Sequence, residues 1–147
     1  MGAKMRDRGF TLVELLVVVA LIAIASGLAS LALRDPTANR LEQEGARLAA
    51  LLESARAEAR ASGLAVRWEP RAIDGEAAGF RFLGLPTTNT LPEHWLNEGV
   101  RADIVGARAV LLGPEPLIPA QRIVLSLEDR RLTLSTDGLG PFEVTNE

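Results

Sequence analysis

The chain has no cysteine and no tyrosine, a single histidine (His94) and a single lysine (Lys4). Without cysteine there is no disulfide framework and no thiolate metal site. With one histidine and no tyrosine, most catalytic constellations cannot be assembled. The formal net charge is -3. A nucleic-acid partner usually demands a basic patch or stripe, and this balance does not suggest one.

Charge is missing altogether from one long stretch. Residues 15–33 read LLVVVALIAIASGLASLAL. At ~1.5 Å per residue, a helix of that run reaches ~28 Å, close to the ~30 Å hydrocarbon core of a bilayer. The run is apolar on every side, so it has no solvated face for a soluble amphipathic helix. Lys4, Arg6 and Arg8 precede it against Asp7 alone. That bias places the amino terminus in the cytoplasm and the bulk of the chain beyond the membrane. Three readings compete: a secretory signal peptide cut near Ala23-Ile24-Ala25, a plain signal anchor, and a prepilin leader. Glu14 bears on the choice. A carboxylate within an apolar helix is costly, by roughly 2.5–3.5 kcal/mol at the helix centre and less near the interface. A signal peptide or simple anchor has no use for it. The plainer reading is a first-turn helix charge just outside the bilayer.

The residues Arg8-Gly9-Phe10-Thr11-Leu12-Val13-Glu14-Leu15-Leu16-Val17 closely resemble the cleavage and methylation motif of type IV pilins and type II secretion pseudopilins. The resemblance implies cleavage between Gly9 and Phe10 by the prepilin peptidase and N-methylation of Phe10. It also implies that Glu14 pairs with the amino terminus of a neighbouring subunit during assembly. The chemistry suits the spacing, because cleavage frees an ammonium on Phe10 one helical turn from Glu14. A buried carboxylate is expensive unless paired.

Beyond the apolar run, Asp35-Pro36 predicts a kink or break, since Pro removes a donor and restricts the residue before it. Residues 37–62 then form an amphipathic helix. Leu41, Gly45, Leu48, Leu52, Ala55 and Ala59 make its apolar stripe. Arg40, Glu42, Glu44, Arg47, Glu53, Arg56, Glu58 and Arg60 are read as a solvated face, with Gly63 as the terminating C′ residue. Strands are expected at 64–69, 79–83, 100–105, 109–112, 122–127, 130–135 and 141–145, with a short hairpin at Glu128-Asp129. A helix followed by such strands indicates α+β, with one antiparallel sheet covered on one face. The domain plan is therefore a leader at 1–9, a transmembrane helix at 10–34, an amphipathic helix at 35–63 and a β-rich globular domain at 64–147.

The sequence GPEPLIPAQRIVLSL, followed by RLTLSTDG and GPFEV, is similar to the end of the H-class minor pseudopilins of type II secretion. The resemblance implies a pilin-like fold, in which one long helix spans the membrane with its first half and backs the sheet with its second. It implies a bacterial inner-membrane protein with a cytoplasmic amino terminus and a periplasmic domain. The implied partners are the other minor and major pseudopilins and the prepilin peptidase, with secreted substrates as further candidates, and no nucleic acid. The implied role is a subunit near the tip of the pseudopilus, helping folded proteins cross the outer membrane. A minor pilin of a type IV pilus, including one for DNA uptake, is the alternative; a membrane-anchored periplasmic enzyme is the third reading. One departure stands out. Many members carry a proline within the apolar helix, whereas Pro36 follows it here, which leaves Ser26-Gly27 as the soft point.

No catalytic, cofactor or metal site is expected. His94 stands alone beside Trp95. Ser135, Thr136 and Asp137 lack an activating base. Gly138-Leu139-Gly140 lacks the context and the lysine of a phosphate loop. Asp137, Glu143 and Glu147 are too few and too scattered for calcium.

Overall fold

The computed structural model describes residues 10–32, 35–71 and 79–145. The chain divides into two units, residues 1–35 and 36–147.

The first unit contains one helix, α1 (Leu12–Ala32). Its described side chains, Phe10 to Leu28, are all exposed. No helix among the described residues is long and apolar enough to cross a membrane.

The second unit begins with α2 (Pro36–Ser62). At the expected break, Asp35 is not helical and α2 starts at Pro36. Pro suits the first helical position because its missing N–H would have no partner there. Gly63, at φ 68°, ends α2 in the left-handed conformation that glycine adopts without strain.

Among the described residues seven strands follow: β1 (Val66–Arg71), β2 (Gly79–Leu83), β3 (Arg101–Ile104), β4 (Val110–Gly113), β5 (Gln121–Leu127), β6 (Arg130–Thr136) and β7 (Glu143–Thr145). Each expected strand is found, within two residues at either end. The expected α+β arrangement of a helix with antiparallel strands is present. The strands form two antiparallel sheets, one ordered β2-β1-β4 and the other β3-β5-β6-β7. The free edge of β4 is closed by a side chain: the Gln121 amide accepts the Leu111 N–H at 2.7 Å and donates to the Leu111 carbonyl at 2.9 Å. Such a pairing satisfies the edge that a further strand would otherwise seek.

α2 packs on both sheets, touching β1 and β4 of one and β5, β6 and β7 of the other. Its stripe of Leu41, Leu48, Leu52, Ala55 and Ala59 is buried, as are Ile123, Leu125, Leu132 and Leu134 from the four-stranded sheet. Gly45 sits where helix and sheet meet most closely; a Cβ there would collide with Leu132. Under the other sheet Phe80 centres an aromatic cluster. Its ring lies 4.6 Å from that of Trp95, 5.9 Å from Trp68 and 6.0 Å from Phe82. Rings at such spacing add favourable edge-to-face contacts to their area burial.

Candidate functional site

Three places carry polar chemistry: the start of α1, the contacts of α2 with the loops, and the end of β6. At the first, the Thr11 hydroxyl accepts the Glu14 N–H at 3.2 Å, and the Glu14 carboxylate accepts the Thr11 N–H at 3.5 Å. This reciprocal pair is a capping box, which satisfies two of the helix's orphan donors. The spacing Thr11-x-x-Glu14 is legible in the sequence, yet the role of Thr11 was not foreseen. Glu14 is the first-turn acid of α1, where a negative charge also complements the helix dipole. Phe10 precedes the box with 68% of its surface exposed. Gly9 lies outside the described residues.

Past the capping box, Leu12, Val13, Leu15, Leu16, Val17, Val19, Leu21, Ile22, Ile24 and Leu28 are all more than half exposed. Scattered exposed leucines are ordinary, but a contiguous apolar surface of this length marks contact with a membrane or another protein.

At the second place, Arg40, Glu42 and Arg60 are exposed as a solvated face requires, but the reading is corrected for Glu44 and Arg56. Glu44 and Arg56 are buried, at 0% and 2% exposure. Glu44 accepts both the backbone N–H and the side-chain amide of Asn97, at 2.7 and 3.0 Å. Arg47 donates to the His94 carbonyl at 2.9 Å, and Glu58 accepts from the Asn89 amide at 3.1 Å. Three side chains of one helix thus pin the long β2–β3 connection. Near the other end of α2, Arg56 donates to the carbonyls of Gly140 and Gly138, at 2.8 and 2.9 Å. Glu53 accepts the Phe142 N–H at 3.1 Å. The signal was available in the periodicity. Glu44 lies three residues after Leu41 and four before Leu48; Arg56 lies four after Leu52 and three before Ala59. Both fall on the apolar stripe, so both had to be buried with it.

The third place is a hydrogen-bonded turn. Ser135 Oγ lies 2.9 Å from Thr145 Oγ1. Thr136 donates to the Gly140 carbonyl and accepts the Gly138 N–H. Asp137 accepts the N–H groups of Leu139 and Gly140, at 2.9 and 2.8 Å. The hydrogen bonds from Gly140 and Leu139 hold the Asp137 carboxyl below the usual carboxylate range, and Arg56 adds to the effect. These residues, with Pro141 and Glu143, line an open cleft. His94 is exposed and joined to Gly79 by a backbone bridge. Among the described residues no group of His, Cys, Asp and Glu side chains is placed to hold a metal ion. Glu147 lies outside them.

Residues 4–30 match the model of the prokaryotic N-terminal methylation motif. The chain is pilin-like at its amino terminus and α+β over its described length. No curated protein and no solved structure matches the chain. The matched residues contain Gly9, Phe10, the capping box and most of α1. For a pilin-like protein, such a motif points to membrane anchoring through the amino-terminal helix.

Proposed function

We propose that this chain is a minor pseudopilin of the H class. It would be inserted in the bacterial inner membrane, cut between Gly9 and Phe10, N-methylated at Phe10, and assembled near the tip of a type II secretion pseudopilus. The observation that carries the reading is the methylation motif running into a helix whose described side chains are all exposed, with Glu14 as its only charge. The basic leader orients the amino terminus to the cytoplasm and the globular unit to the periplasm. The wording of the last three strands and the turns around them supports the H class. Cleavage would remove Lys4, Arg6 and Arg8 and leave an ammonium on Phe10. That ammonium is the natural partner for Glu14 of an adjacent subunit, because each neutralises a charge that apolar surroundings penalise. The filament subunits and the peptidase are the partners, and the role is assembly rather than catalysis. The motif serves type IV minor pilins equally well. The net charge of -3 weighs against the DNA-uptake form of that second reading.

The amino terminus of the mature protein tests the processing step. Mass spectrometry should find a chain beginning at monomethylated Phe10 in a host with the peptidase. A terminus at Ser26, or an uncut chain, overturns the reading. Co-purification with type II secretion subunits rather than pilus subunits then decides between the two filaments.

A further inference from the structure

The outer face of the four-stranded sheet, turned away from α2, carries an arginine pair that nothing above uses. The register places Arg101 of β3 opposite Ser126 of β5, and Ser126 opposite Arg131 of β6. Side chains alternate along each strand, and Ala102, Leu125 and Leu132 of the neighbouring row turn toward the core. Arg101, Ser126 and Arg131 therefore share the opposite face. With strands ~4.8 Å apart, the two arginine Cα atoms are ~10 Å from each other, astride the serine. Both arginines are exposed, and neither makes an ion pair or a side-chain hydrogen bond among the described residues. A guanidinium presents a planar fork of donors that matches a phosphate. Two of them with a hydroxyl between form a cradle for one.

The row lies at a particular end of the unit. It is next to the β5–β6 turn, where Leu127 pairs with Arg130. Thr37, in the first turn of α2, donates to Glu128 of that turn at 3.3 Å. The arginine row is thus at the end where the chain enters the unit at Pro36. The acids nearby do not fill the cradle. Glu128 accepts from Thr37 and Asp129 sits 4.0 Å from Arg130; Asp103 shares the outer face two residues along β3, opposite Val124, and makes no ion pair with Arg101.

We propose that Arg101, Ser126 and Arg131 bind phospholipid headgroup phosphates of the leaflet from which the chain emerges. The contact holds the four-stranded sheet, hairpin end first, against the membrane surface before the subunit is withdrawn into a filament. This inference rests on the reading of the amino-terminal helix as a membrane anchor. Each arginine at an anionic surface contributes on the order of fivefold to the contact, so the pair contributes about 30-fold.

The absence of native cysteine makes a single nitroxide label unique. The processed full chain is reconstituted in vesicles of phosphatidylcholine and phosphatidylglycerol that contain a nickel-chelating lipid. The label is placed at Thr133→Cys, one row from the cradle, or at Leu139→Cys, past the far end of β6. The nickel headgroups should relax the Thr133 label strongly and the Leu139 label weakly. The difference should shrink in phosphatidylcholine alone and vanish in the R101Q/R131Q double variant, whereas R101K/R131K should retain most of it. Equal relaxation of the two labels, or an unchanged signal in R101Q/R131Q, overturns the proposal while leaving the anchor in place. A chain that does not float with the vesicles overturns the anchor reading and the proposal with it.

Discussion

The buried carboxylate of Glu44 accepts the backbone N–H of Asn97 at 2.7 Å. The bond joins α2 to a connection with no strand of its own, and the Asn97 side chain adds a second donor at 3.0 Å. Glu44→Ala should lower the stability of the unit starting at Pro36 by about 2–3 kcal/mol, because hydrogen bonds to a charged group are lost and a buried donor is left without a partner. Glu44→Gln keeps an acceptor oxygen and should lose about half as much. The urea midpoints of the three proteins check the order. Equal midpoints for Glu44→Ala and wild type would mean that the loop is held by Trp95 packing alone.

Arg56 holds the turn after β6 by two carbonyls at once. Arg56→Met should cost about 3 kcal/mol, since it strands two carbonyl acceptors and removes the cation beside Glu53, 3.6 Å away. Arg56→Lys should fall between, because a point charge lacks the fork that reaches both carbonyls. Hydrogen exchange should locate the loss: the amides of residues 138–142 should exchange faster than those of β5. Uniform acceleration throughout the unit would argue against a local staple.

Asp137 gives the same turn an acid dependence. Its folded carboxyl is held below the ordinary value of 3.8 by the Gly140 and Leu139 N–H groups. A group whose folded pKa is lowered contributes stability above the unfolded pKa and loses it as pH falls through the folded value. The contribution should therefore be present at neutral pH and fade below about pH 4. Asp137→Asn should be less stable than wild type at pH 7 and nearly equal to it at pH 2. Parallel pH–stability curves for the two proteins would remove Asp137 from the acid limb.

Thr11 and Glu14 separate helix capping from subunit assembly. Thr11→Val removes the cap from the Glu14 N–H but keeps the carboxylate; the expected loss is about 1 kcal/mol of helix stability. Glu14→Gln keeps a side chain able to cap but removes the charge. If Glu14 meets a neighbour's Phe10 ammonium, Glu14→Gln should lose incorporation into the filament and Thr11→Val should retain it, with cleavage intact in both. Crosslinking to neighbouring subunits measures this. Equal loss in both variants would reduce Glu14 to a helix cap.

Periodicity along the sequence decided a great deal. The run of residues 15–33, the Thr11-x-x-Glu14 spacing, the stripe from Leu41 to Ala59 and the alternation in β5 and β6 are all local patterns. They fix which segments are helix or strand, because side chains repeat on a face every 3.6 or every two residues. The leader motif is equally local, so Gly9, Phe10 and Glu14 could be chosen without a fold. Whether seven strands make one sheet or two depends on which edges meet, and edge pairing joins residues far apart in the chain. Leu111 with Gln121, which closes β4, is such a case. The fate of the α2 charges was also tertiary. Glu44 and Arg56 read as solvated until the loops carrying Asn97, Gly138 and Gly140 folded over them and supplied partners. A buried charge is costly without hydrogen-bond partners, and those of Glu44 Oε1 and of the two terminal nitrogens of Arg56 lie 53 to 84 residues away along the chain.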